Sequence, residues 1–375
     1  MSEISDMIQR LCPDGVEYRK LGEVGTINRG VRVVKNDLQI SGQYPVFQNS
    51  LTPLGYYNQH NCDVNTTFVI SAGAAGEIGF CSTSFWAADD CLVITPYDEI
   101  LSKFIFYYLL SQQSYIKSRV RKASIPRLSK DVIYNIEIPV PPLEVQRKIV
   151  EILDNFSELT AELTAELTAE LEARKKQYEY YRDNLLNFNR GGQQVSDVKW
   201  MKLGDVSNSI RTGKLNANAK EDDGIYPFFT CDAEPYRINS YAFDCEAIII
   251  TGNGSQVGHI NYYKGKFNAY QRTYVMSFNE DVNIFYVYHF LKQFLKQYIL
   301  VNSKKGSVPY ITLPMLQDFI IPIPPLSEQE RIVSILDRFE SLTTDLTSGL
   351  PAEIKARQQQ YEYYRDQLLT FKRAN

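Results

Sequence analysis

Basic side chains set among glycine and serine occur in matched pairs along this 375-residue chain, and their chemistry is that of anion contact. Arg29, Arg32 and Lys35 lie in "NRGVRVVK", and Arg211 and Lys214 lie in "IRTGK". Lys122, Ser124 and Arg127 lie in "RKASIPRL"; Lys304, Lys305, Ser307 and Tyr310 lie in "KKGSVPYI". Lysine and arginine neutralise phosphates, a hydroxyl can donate to a phosphate oxygen, and glycine lets a backbone come close to a duplex. Arg272 in "AYQRTYV" stands against "AADDCLV" (87–93) in the other member of the pair. Arginine suits guanine and glutamine suits adenine, so such a difference is expected of two surfaces that read different bases. The bland alternative for each stretch is a solvated loop or surface turn.

Other chemistries lack their parts. Asp89, Asp90 and Glu77 could be imagined as metal-binding nuclease acids, but no lysine-bearing nuclease motif accompanies them. The three histidines (60, 259, 289) and six cysteines show neither H-E-x-x-H nor C-x-x-C spacing, so no metal site is expected. The cysteines read as reduced thiols of a cytoplasmic protein. "GNGSQVG" (252–258) nearly matches G-x-G-x-x-G but lies between two strands, where a tight turn is the simpler reading. There is no G-x-x-x-x-G-K-[ST] loop and no Asp/Asn-Pro-Pro-aromatic motif, so neither ATP binding nor amino-methyl transfer is expected of this chain. "MSEISDMIQRL" lacks an apolar core of signal-peptide length, and "FIFYYLL" (104–110) is too short to span a bilayer. The net charge is −4, yet the charge is segregated: residues 144–172 carry eight carboxylates and two basic groups, whereas residues 115–130 carry six basic groups and no acid. A slightly acidic chain can therefore present basic faces.

The elements that must position these residues are written twice. "YRKLGEVGTINRG" (18–30) resembles "KWMKLGDVSNSIRTG" (199–213), "IPVPPLEVQRKIVEILDNFSELT" (138–160) matches "IPIPPLSEQERIVSILDRFESLT" (321–343), and "QYEYYRDNLLNF" (177–188) matches "QYEYYRDQLLTF" (360–371). "SAGAAGEIGF" (71–80) faintly echoes "TGNGSQVGHI" (251–260). Each copy predicts a strand–glycine turn–strand unit, an amphipathic helix, a short strand ending in a double proline, and then a long helix. The plentiful tyrosine and phenylalanine, 26 and 19 copies, suit aromatic-rich sheets. The first long helix carries an apolar stripe at Ile149, Ile152, Phe156, Leu159, Leu163, Leu167, Leu171, Tyr178, Tyr181, Leu185 and Phe188. The second repeats it at Ile332, Ile335, Phe339, Leu342, Leu346, Leu350, Ile354, Tyr361, Tyr364, Leu368 and Phe371, and packing one stripe on the other buries both. Within the first lies "LTAELTAELTAEL" (159–171). Four residues turn a helix by roughly 400°, so each leucine drifts about 40° from the last while the helix lengthens by about 6 Å. The tetrapeptide thus reads as a spacer, or more sharply as a ruler. Its counterpart "TTDLTSGLPAEI" (343–354) has the same length, but Gly349 and Pro351 should kink or break that helix.

The duplicated proline segments, the two "QYEYYRD" and "LG(E/D)V" segments, the opening "LCPDGVEYRKLGEV" and the central repeat together resemble the specificity subunit of type I restriction–modification enzymes, in the subfamily with Thr-Ala-Glu-Leu repeats. The resemblance covers essentially the whole chain and implies an α+β fold: two similar mixed α/β target-recognition domains separated by two long helices packed as an antiparallel coiled coil, with a pseudo-two-fold internal repeat. The domains would span 1–141 and 191–324, and the spacer helices 142–190 and 325–373. The family implies a non-catalytic DNA reader in which each domain recognises one half of a split, asymmetric site. Two DNA-methyltransferase subunits dock around the helices, and two restriction translocases join in some assemblies. S-adenosylmethionine, ATP and Mg would belong to those partners, and no cofactor to this chain. Tyr178 and Tyr181 with Tyr361 and Tyr364 would lie on the helix seam or touch a partner. The competing readings are a self-sufficient DNA enzyme and a coiled-coil scaffold that binds only protein.

Overall fold

The computed structural model describes residues 2–34, 38–39, 41–188, 198–302, 310–344 and 348–374. The chain divides into two compact units, Met1–Leu167 with Glu353–Asn375 and Thr168–Ala352. In the first, the order is α1 (Ser2–Leu11), β1 (Tyr18–Lys20), β2 (Gly25–Arg29), β3 (Tyr44–Phe47), β4 (Gly55–Tyr57), β5 (Thr66–Ile70), β6 (Ile78–Cys81), β7 (Trp86–Ala87), β8 (Cys91–Pro96), α2 (Ser102–Ser111), α3 (Gln113–Ser118), α4 (Lys130–Tyr134), β9 (Glu137–Pro139) and, as far as Leu167, the 44-residue helix α5 (Leu143–Leu186). The second runs β10 (Lys199–Lys202), α6 (Leu203–Val206), β11 (Ser207–Thr212), β12 (Tyr226–Phe229), β13 (Tyr236–Ile238), β14 (Phe243–Thr251), β15 (Ile260–Ala269), β16 (Thr273–Phe278), α7 (Ile284–Asn302), α8 (Leu313–Gln317), β17 (Ile320–Ile323) and α9 (Leu326–Thr344), before α10 (Leu350–Leu368).

Both units use one topology. The order β2-β8-β5-β6 in the first corresponds to β11-β16-β14-β15 in the second. Beside it, β3 pairs antiparallel with β4 and parallel with β7, as β12 does with β13 and the end of β15. The ten-residue β15 thus does in one strand what β6 and β7 do in two. The shared "YPVF" (44–47) and "YPFF" (226–229) carry this parallel pairing, an echo that the longer sequence matches overshadow.

The inner runs of β5, β8, β14 and β16 are apolar because both sheet faces are covered there. In β5 and β8, Val69, Leu92 and Ile94 face a core with α2, while Phe68, Ile70 and Cys91 face a second cluster with Phe85. In β14 and β16 the same alternation sends Ile248, Ile250 and Met276 to the helix side and Ala247, Ile249 and Val275 to the other. The period of two sorts a continuous apolar run into two cores.

A buried glutamine joins sheet, helix and double proline in each unit. Gln146 donates through Nε2 to the Glu99 and Pro141 carbonyls at 2.9 and 2.7 Å and accepts from the Leu101 N–H at 2.8 Å. Gln329 donates to the Asp281 and Pro324 carbonyls at 3.4 and 2.9 Å and accepts from the Asn283 N–H at 2.8 Å. This is the structural work of the repeated glutamine in "EVQRK" and "SEQER".

Each unit combines helix segments from both repeats. In the first, Phe156 of α5 stacks on Tyr364 of α10 with ring centroids 6.0 Å apart. In the second, Tyr178 and Tyr181 of α5 lie on Phe339 of α9 at 6.5 and 5.4 Å. The expected stripe needs one correction. Leu167 is 9% exposed, but Leu159, two tetrapeptides earlier, is 60% exposed, and its counterpart Leu342 is 36% exposed. A drift of about 40° per tetrapeptide carries Leu159 about 80° round the helix from Leu167. Leu153 and Leu336, absent from the expected stripe, are fully buried instead. α9 ends at Thr344 and α10 begins at Leu350 with Pro351 next, while residues 345–347, including Leu346 of the stripe, lie outside the described residues.

Candidate nucleic-acid interface

The glycine turn meets the basic loop at one end of the sheet in the first unit, and in the second the glycine turn meets Tyr310 and Ile311 at the same end. In the first unit the ends of β2 and β5 and the starts of β6 and β8 lie together. The turn after β5 holds Gly73 and Gly76 at φ of 82° and 89°, which glycine adopts without strain. The loop of residues 121–128 is tied to it: Leu128 N–H donates to the Ser71 carbonyl at 2.8 Å, and Gly73 N–H to the Pro126 carbonyl at 3.2 Å. Arg121 and Arg127 close the loop by exchanging backbone hydrogen bonds of 2.8 and 3.2 Å. The backbone is held, and Arg121, Lys122, Ser124 and Arg127 are left exposed.

The second unit builds the same frame. Gly254 and Gly258 take φ of 88° and 80°, and Ile311 N–H donates to the Gly252 carbonyl at 2.8 Å. Tyr310 bridges Asn253 as Arg127 bridges Ala72. The approach is tight, because a Cβ on Gly252 would lie 2.1 Å from the Arg272 carbonyl oxygen. Tyr310 and Arg272 are exposed at this end; Lys304, Lys305 and Ser307 lie outside the described residues, as does Lys35.

The strand arginines do not match as their sequences suggest. Arg29 pairs with Leu92 across β2 and β8, whereas Arg211 pairs with Val275 across β11 and β16. A register shift between Ser207 and Ser209 inserts one residue in β11, so Arg211 occupies the place of Asn28 and Thr212 that of Arg29. One residue of offset reverses the face. Arg29 donates to the Asp89 carbonyl at 3.3 Å, while the Arg211 guanidinium lies 5.8 Å from the Phe243 ring centroid. Arg32 and Lys214 are exposed on the segments that leave these strands past Gly30 and Gly213. Those glycines are needed for contact: a Cβ would sit 2.2 Å from the Ala87 oxygen at Gly30 and 1.7 Å from the Ala269 oxygen at Gly213.

The seam tyrosines lie on helices, apart from these sheet ends. Burial pushes the hydroxyls of Tyr178 and Tyr361 above the usual tyrosine range, and Arg182 and Arg365 stack near their rings at 5.5 and 6.0 Å. Tyr181 and Tyr364 stack on the phenylalanines of the paired helices, whereas Tyr180 and Tyr363 are 66% and 60% exposed. Among the described residues, one group could hold a metal ion: His289, Asp337 and Glu340 where α7 meets α9. Asp337 is 2.7 Å from His289 Nε2 and the Lys292 ammonium is 2.8 Å from Glu340, so hydrogen bonding and an ion pair already engage both acids. At the matching place the first unit has Tyr107, whose hydroxyl donates to Asp154 at 2.6 Å, with Lys103 on the other oxygen at 2.9 Å. All six cysteines are unpaired; burial raises the Cys91 thiol to about 12 and Cys62 to about 11. No described helix is long and apolar enough to cross a membrane.

The family model for the type I restriction modification DNA specificity domain matches twice, over residues 13–173 and 195–356. The chain belongs to this family. The first match takes in the strands and glycine turn of the first unit and α5 as far as residue 173, and the second takes in those of the second unit, all of α9 and the start of α10. Among its relatives, the EcoR124I/EcoR124II specificity subunit of Escherichia coli is 30% identical over 415 residues, covering 99% of this chain and 98% of that one. Two solved structures share the fold of this type I specificity protein. One, described as concerning complex assembly and conformational transition of the type I system, has a TM-score of 0.68 at 18% identity, covering 95% and 97% of the two chains. The other, the specificity subunit from M. genitalium, has a TM-score of 0.58 at 19% identity, covering 95% and 96%.

Proposed function

We propose that this chain is the DNA-reading subunit of a type I restriction–modification complex, in which each unit recognises one half of a split, asymmetric site. One observation carries the reading: at the same sheet end of both units a glycine turn is hydrogen-bonded to a later segment, residues 121–128 in the first and Tyr310–Ile311 in the second, with exposed cationic or aromatic side chains beside it. Phosphate contacts from Arg29, Arg32, Lys35, Lys122, Ser124, Arg127, Lys214, Lys304, Lys305 and Ser307 would position the duplex. Arg272, Arg211 and Tyr310 would contribute to reading it. A scaffold that binds only protein has no need of two such ends with unlike side chains.

The chain itself carries no catalytic group in this reading. Methyl transfer with S-adenosylmethionine, and ATP- and Mg-dependent restriction where present, belong to partner subunits. The exposed Tyr180 and Tyr363, at matched places in "QYEYYRD", fit two copies of one methyltransferase partner. The Thr-Ala-Glu-Leu run supports membership of the repeat-bearing subfamily, and in this reading it sets the gap. Each quartet adds about 6 Å, between one and two base-pair steps of about 3.4 Å.

The test is a map of methylated adenines in cells that make the chain with its methyltransferase partner, for the native sequence and for a deletion of residues 164–167. A split site whose two halves persist while the gap shortens supports the reading. Absence of any split site with the native chain overturns it. A split site with an unmoved gap overturns the ruler alone.

A further inference from the structure

The two sheet ends differ most sharply at one position that the backbone makes equivalent. In the first unit, the Ser71 N–H and hydroxyl donate to the Asp90 carbonyl at 2.7 and 2.9 Å. In the second, Gly252 N–H donates to the Arg272 carbonyl at 2.9 Å. Ser71 and Gly252 are themselves equivalent, for their carbonyls accept from Leu128 and Ile311. Asp90 therefore stands where Arg272 stands, and Asp89 stands where Gln271 stands. Two carboxylate acceptors replace an arginine donor and a glutamine amide on the same frame.

An acid is costly here unless it meets a donor. The end of the first unit is otherwise cationic, with Arg29, Arg32, Arg121, Lys122 and Arg127, and a carboxylate facing phosphate is repelled. Neither acid forms an ion pair among the described residues, and Asp89 Oδ1 is buried without a hydrogen-bond partner. The guanidinium of Arg29 reaches the Asp89 backbone carbonyl rather than its carboxylate. In the major groove, an acidic side chain matches an exocyclic amino group, and arginine matches the O6 and N7 acceptors of guanine.

We propose that Asp90 and Arg272 are matched specificity-determining residues: Asp90 accepts from a base amino group, cytosine N4 or adenine N6, in one half-site, and Arg272 donates to a guanine in the other. This rests on the DNA-reading function proposed above. Asp89 borders Asp90 and keeps the acceptor character of the position, and Gln271, anchored by Nε2 to Asn216 Oδ1 at 2.9 Å, borders Arg272.

The test uses the chain assembled with its methyltransferase partner on a duplex bearing the mapped split site. Each cytosine and adenine of one half-site, and then of the other, is replaced in turn by an analogue lacking the exocyclic amino group. The native complex should lose about ten- to a hundred-fold in affinity at one such position. Asp90→Ala should bind more weakly but lose nothing further at that position. Whether the sensitive base is cytosine or adenine identifies the donor. Replacing guanines by 7-deazaguanine should reveal one position in the opposite half-site to which Arg272→Ala is likewise indifferent. If Asp90→Ala fails to assemble, Asp90→Asn keeps the size and a neutral acceptor, and should reduce the sensitivity at that position alone. Native binding insensitive to every amino-group deletion, or Asp90 variants as sensitive as the native complex, overturns the inference. Both results are read on a split site already mapped, so they leave the DNA-reading function standing.

Discussion

The sheet ends of the two units share a backbone and differ in side chains, whereas the helix starts beneath them share both. Around Gln146 and Gln329 the three hydrogen bonds repeat nearly bond for bond. At the sheet ends the turn, the bridge and the backbone bond beside it repeat, yet Arg127 becomes Tyr310 and Asp90 becomes Arg272. The contrast separates what holds the molecule from what the molecule offers. Backbone hydrogen bonds and glycines fix the frame, so the chemistry set on it can change without disturbing the fold.

The largest effect expected from this contrast is on the shared lock. Gln146→Ala and Gln329→Ala each strand two carbonyls and an N–H in the interior, and each should cost its unit about 3 kcal/mol, read by chemical denaturation of the assembled protein. Similar losses support equivalence; a loss confined to one unit breaks it. Next come the turns. Gly73→Ala and Gly254→Ala both place a side chain at positive φ, a strain of about 1 kcal/mol. A Cβ at Gly73 would lie 2.8 Å from the Asn49 oxygen, while one at Gly254 meets only Cys231 Cβ at 3.5 Å. Gly73→Ala should therefore lower the melting temperature more than Gly254→Ala. Smaller again is Tyr107→Phe, which removes the hydroxyl donor to Asp154 and should cost about 1 kcal/mol of stability while leaving the recognised bases unchanged. Smallest is Lys202→Ala: its pair with Asp318 at 2.8 Å is exposed to solvent, so its loss should leave the melting temperature almost unchanged.

Much of the frame was legible in the sequence because it is written in local signals. Double prolines marked the helix starts, and glycines marked the turns. Three features were hidden for physical reasons. The meeting of turn and loop is made by backbone bonds such as Leu128 to Ser71, which leave no residue type as a trace. The β11 bulge turns Arg211 to the face opposite that of Arg29, although the two motifs look alike. The drift of the tetrapeptide sends Leu159 into solvent although it has the spacing of a buried residue. The pairing of "YPVF" with "YPFF" was available as a signal, and its proline obscured the strands that it opens.

The claim on which the rest depends is that these sheet ends face the phosphates. It is tested most directly by the salt dependence of split-site duplex binding, with the chain and its methyltransferase partner, for the native sequence and for Arg121→Ala/Lys122→Ala/Arg127→Ala. The loop backbone is held by main-chain bonds, so the variant should fold. The slope of log K against log salt should become shallower by about 2.7, or about 0.9 for each phosphate no longer neutralised. An unchanged slope with native affinity would contradict the claim and move the interface elsewhere on the molecule.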